Sequence, residues 1–139
     1  MIVTGCGGGV DGSQSAAITK ATFLKRGNAI CAKGNKEIEE GIKRFEEENA
    51  LPGAPLSREQ LIEAIEVVVL PVVREQIEGV EALGIPDGEE SQIEAIHEVD
   101  REALEKAESD PSSLTTEQTN PFTEANRLAV EYGLVKCSG

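Results

Sequence analysis

The chain has 139 residues, 26 acidic against 13 basic side chains, and a formal net charge of −13. Its length suits one domain with a real core, and that core must be built mainly from Ile, Val, Leu and Ala, because there are three Phe, one Tyr and no Trp. The acidic balance excludes nucleic acid as a partner, since phosphate affinity comes from clustered Lys and Arg, and it excludes charge-driven docking on anionic lipid.

Residues 1–18 have no apolar periodicity and are read as a tether, leaving 19–139 as the folded domain. Within the tether, Ile2-Val3-Thr4-Gly5-Cys6 ends in the aliphatic, small, Gly, Cys pattern of a bacterial lipobox, in which Cys6 would carry lipid. Only five residues precede Cys6, so the basic and apolar regions of a signal peptide would have to lie upstream. The Gly, Ser, Asp and Gln of residues 7–15 suit a flexible spacer that holds a domain off a membrane. Gly5-Cys6-Gly7-Gly8-Gly9 lacks the Lys-Ser/Thr that a phosphate-binding loop requires.

Helix signals follow in order. Phe23, Ile30, Ile38, Ile42 and Phe45 recur at helical steps, predicting a first helix over Thr19 to Asn49 with Thr19 as its cap. Gly27, Gly34 and Gly41 stand beside that stripe at heptad spacing, suited to close packing either within the chain or against a second copy. Pro52 and Pro55 around Gly53 end it. Ser57-x-x-Gln60 is a capping box ahead of Leu61, Ile62, Ile65, Val68, Val69 and Val72, so a second helix starts at Arg58. The apolar run Val67 to Val73 contains Pro71, which argues against a strand and for a helix kinked near Val67, expected to be the most buried segment. Asp87 is the expected cap of a third helix whose stripe is Ile93, Ile96, Val99, Ala103, Leu104 and Ala107. Asn120-Pro121-Phe122 predicts the start of a fourth helix, lined by Phe122, Ala125, Ala129 and Tyr132 and stopped at Gly133. Four helices with short connections predict an all-α fold, an antiparallel up-down bundle.

The chemistry-bearing residues are few. If Cys6 is acylated, Cys31 and Cys137 remain as a disulfide pair in an oxidising compartment; the alternative is two separate buried thiols. His97 is the only histidine. Glu94-x-x-His97 has a metal-ligand spacing, but carboxylate-bridged di-metal bundles need that motif from two helices, and the plain reading is a surface histidine paired with Glu94 or Asp100. Glu46 to Glu48 and the acidic residues of 87–90 read as solvated helix ends. No serine has a base near it in sequence, so nucleophilic catalysis has no support and the expectation is a non-enzymatic protein without a cofactor. A second expectation is a carrier for a small apolar ligand or a cation, using a cavity near the Pro71 kink or the acidic helix ends, with Phe45, Val68, Val72 and Tyr132 as pocket residues.

Phe23, Ala29 to Lys33, Asn35 to Ile38, and the tail from Asn120 through Tyr132-Gly133-Leu134 to Cys137 resemble a family of secreted, lipid-anchored helical proteins of actinobacterial type. The resemblance implies a lipoprotein anchored to the cell membrane through Cys6, facing the extracytoplasmic space, with Cys31 and Cys137 paired. It assigns no activity, and the implied role is binding or scaffolding at the cell surface. This chain has glycine at 27 and 34 where the pattern has alanine.

Overall fold

The computed structural model describes residues 17–139, and every regular element among them is helical. The lipobox-like run with Cys6, and the tether as far as residue 16, lie outside the described residues. Ile18, expected at the end of the tether, is half-buried and packs against the core.

The chain is all-α. Helix α1 is Lys20–Asn49, α2 is one continuous helical run over residues 58–81, α3 is Glu90–Ser109 and α4 is Thr123–Tyr132. Short 3₁₀ turns at Pro111–Thr115 and Val135–Ser138 precede and follow α4. Two starts are as expected: the Thr19 side chain accepts from the Thr22 amide, and Ser57 with Gln60 forms the full reciprocal capping box. Two differ. Asp87 caps nothing; the Gly88 amide donates to Glu90 and α3 begins later, with Glu89 as its flanking residue. Asn120 accepts from the Phe122 amide in a local turn, so α4 begins at Thr123. At its other end Gly133 takes φ 114°, a left-handed conformation costly for any residue with a Cβ. The Leu134 amide then reaches back to the Ala129 carbonyl at 2.8 Å and closes the helix.

The break expected near Val67 is a π turn, Ile65–Val69, in which the Leu70 amide bonds the Ile65 carbonyl five residues back. Pro71 explains its place: the pyrrolidine ring would collide with the Val67 carbonyl in a regular helix, and one wider turn moves that carbonyl aside. The surrounding run is not the most buried segment. Val67 is 58% exposed and Pro71 is exposed, whereas only Leu70 within Val67 to Val73 is buried, because a helix covered on one side turns its remaining residues to solvent.

The buried face of α1 is Phe23, Gly27, Cys31 and Gly34, so the glycines lie on the packing line itself. A Cβ on Gly27 would stand 2.7 Å from Leu134 Cδ2, one on Gly41 2.5 Å from Val68 Cγ1, and one on Gly34 would overlap the Gln76 side chain. These neighbours all belong to the same chain, which assigns the glycine line to internal packing. The core comprises two clusters, one around Phe23, Ile93, Tyr132 and Leu134, the other around Ile65, Ile77, Leu104 and Phe122.

Alanine at an exposed glycine in a helix usually adds about 1 kcal/mol of stability. Here the G41A methyl would have to displace a β-branched side chain, an overpacking cost of about 1 to 3 kcal/mol. Urea unfolding should therefore show G41A less stable than the natural chain, and a raised midpoint would mean that α1 and α2 are not in close contact at this level.

Candidate functional site

The C-terminal tail is held on α1 by three side chains that share one face. Cys31 and Cys137 lie at disulfide distance, with sulfurs 2.04 Å apart and Cα atoms 5.0 Å apart. One turn before Cys31, the Asn28 amide group donates to the Gly133 carbonyl at 3.0 Å and accepts from the Lys136 amide at 2.9 Å. One turn after it, Asn35 donates to the Lys136 carbonyl at 2.8 Å. Residues 28, 31 and 35 are separated by three and four positions, the helical spacing that places them above one another. Gln76 of α2 completes the set by donating to the Cys31 carbonyl at 2.9 Å and to Asn35 Oδ1 at 3.2 Å.

Beside this clamp lies a cavity of about 250 Å³, bounded by all four helices and by the tail. Cys31, Asn35 and Ile38 of α1 form one wall, and Val73, Gln76, Ile77 and Val80 of α2 a second. Ile96 and Asp100 of α3, Phe122, Asn126 and Ala129 beside and within α4, and Leu134 and Cys137 of the tail close the rest. Its walls draw on both core clusters. The lining is mainly apolar, with the amide side chains of Asn35, Gln76, Asn120 and Asn126, Ser138, and the carboxyl of Asp100.

Asp100 is the chemically distinctive group. Its side chain has no hydrogen-bonding partner among the described residues. Burial, assisted by the neighbouring Glu81 carboxylate, pushes its carboxyl up to about 6. Arg101, its neighbour in sequence, is paired with Glu81. One turn earlier on α3, His97 is half-buried with Nε2 enclosed and unpaired. Burial holds its imidazole below the ordinary value, against the opposing pull of Glu81. His97 is therefore not the salt-bridged surface histidine expected, and no group of three or more His, Cys, Asp or Glu side chains among the described residues is placed to hold a metal ion with it and Glu94.

The cavity borders the Pro71 kink through Val69 and Val73, but the residues expected to line it do not. Phe45, Val68, Val72 and Tyr132 are not among the residues lining this cavity. Val68 fills the space at Gly41, and Tyr132 packs in the core, edge-on to Phe23 at 5.9 Å between ring centroids, with Lys20 4.5 Å above its ring. The cavity instead forms at the level of Cys31. Sequence spacing carries no signal for it, because its polar residues come from all four helices and each looks, alone, like an ordinary surface amide or acid.

The sign of the Asp100 effect follows from linkage. The folded chain holds this proton more tightly than the unfolded chain, whose aspartate titrates near 3.8, so the carboxyl costs stability as pH rises between about 4 and 6. Replacement by the neutral isostere, D100N, should raise stability by about 2 kcal/mol at pH 7.5 and hardly change it at pH 3.5. Unfolding midpoints of both proteins across that range check this; a difference independent of pH would place Asp100 in water.

No family model, curated protein or solved structure matches the chain, so its function is argued from this geometry.

Proposed function

We propose that the chain is an extracytoplasmic, lipid-anchored, non-enzymatic domain that binds a small ligand in the cavity beside the Cys31–Cys137 bridge. The observation that carries this reading is the cavity itself, about 250 Å³ of mainly apolar space inside a 139-residue domain. Interiors ordinarily pack with few voids larger than a water molecule, and an apolar cavity of about 150 Å³ is already enough to admit benzene. A solid core would have favoured a scaffold acting through its surface; an open-sided cavity bordered by a few polar groups favours a carrier or sensor of a compact molecule.

The resemblance to secreted actinobacterial lipoproteins supports the address, through the lipobox-like run ending in Cys6 and the Gly/Ser-rich residues behind it. In this reading the helices make an antiparallel up-down bundle carried on that tether. The opposed senses of α1 and α2, and the return of the α4 end to the first half of α1, support this. Cys31 and Cys137 at disulfide distance suit an oxidising compartment.

Two measurements test the proposal. Titration with toluene and with indole, followed by amide and methyl NMR, should shift the signals of Ile77, Ile96 and Ala129 and raise the melting temperature. Shifts confined to exposed residues, or none, would remove ligand binding. Intact mass after expression with the native upstream sequence should begin at Cys6 and include diacylglycerol, and an unmodified N-terminus would remove the anchor.

A further inference from the structure

The cavity holds one charged side chain among its lining residues, and that charge is uncompensated. Asp100 faces this space with no Lys, Arg or His among the residues that line it. Its adjacent cation, Arg101, is committed to Glu81. An apolar compartment that keeps a carboxylate without a partner is unfavourable unless something supplies the missing charge and the missing donors. Amide side chains line the same cavity and can accept as well. Gln76 spends its NH₂ group on the Cys31 carbonyl and on Asn35 Oδ1, which leaves its oxygen free, and the Asn126 side chain has no hydrogen-bonding partner among the described residues.

Building on the ligand-binding reading above, we propose that the ligand is an organic cation, a primary ammonium on a short aromatic or branched aliphatic body, with the ammonium donating to Asp100 and the body lying among Ile77, Ile96 and Phe122. An ammonium has three donors and no acceptor, which suits a cavity lined by one carboxylate and by amide side chains able to accept, whereas an anion or a bare carbonyl brings no donor for the carboxylate. Volume limits the body to about one ring with a two- or three-atom arm, by comparison with the roughly 150 Å³ that admits benzene. The formal net charge of −13 draws cations toward the domain from a distance and repels anions of the same size.

Phenethylamine and its neutral isostere 2-phenylethanol separate this proposal from the one on which it rests. Titration calorimetry of the full chain at pH 7.5 should give an affinity for the amine at least tenfold above that for the alcohol. In D100N the two affinities should become equal, mainly through loss of amine binding, with the helical circular dichroism unchanged. Equal binding of both probes by the natural chain would overturn the cation and leave an apolar ligand site standing. An amine preference that survives in D100N would overturn the role of Asp100. Binding of neither probe would overturn this proposal together with the ligand-binding reading.

Discussion

The contact on which the rest of the structure depends is the attachment of the C-terminal tail to the first half of α1. Cys31 and Cys137 are 106 positions apart in the chain, and a link across a loop of that length is worth about 4 to 5 kcal/mol in the chain-entropy account. The link does not act alone. Asn28 and Asn35, one turn to either side, bond the tail backbone and satisfy groups that would otherwise be stranded as the chain leaves α4. Leu134, almost wholly enclosed at 1% exposure, is thereby pressed onto Gly27, and the tail becomes a wall of the cavity rather than a loose end.

Close approach of the helices follows from the same logic. With few aromatic side chains available, the domain gains contact area by bringing backbones together over glycine. Each glycine on α1 costs about 1 kcal/mol of helix propensity, and each receives a side chain from elsewhere in the chain: Leu134 at Gly27, Gln76 at Gly34, Val68 at Gly41. The Gln76 contact serves two ends at once, since the approach permitted by Gly34 lets its amide reach the Cys31 carbonyl and join the clamp to α2. The π turn at Ile65–Val69 belongs to the same interface, because it accommodates Pro71 while Val68 stays seated over Gly41.

Against this economy of space, the cavity and Asp100 stand out as the places where stability is given up. Filling the void and neutralising the acid would each stabilise the fold, and the most direct reason for keeping both is a ligand that restores the lost contacts and the lost charge when it binds. Their position reinforces that reading. The space opens next to the strongest covalent and hydrogen-bonded restraint in the molecule, where walls stay in place and a binding geometry can be held without a ligand present.

What the sequence determined by itself was local. Thr19, the Ser57 capping box and Gly133 mark helix ends because each satisfies or terminates the backbone through residues three to five positions away. The apolar stripes marked helices because that periodicity depends only on the 3.6-residue turn. Asp87 misled for an equally local reason: a second short-range option, Glu90 bonded to the Gly88 amide, displaced it. What only the tertiary structure decided was everything that depends on distance along the chain. The expected bridge pair drew on resemblance and cysteine counting, and its sulfurs meet only after four helices have packed. The glycine line could have faced a second copy until Leu134, Gln76 and Val68 arrived on it. Asp100 reads as one more solvated acid on α3 until α2, α4 and the tail form a cavity around it that leaves it half-buried, because the energy of a charge is set by the groups folding brings around it and not by its neighbours in sequence.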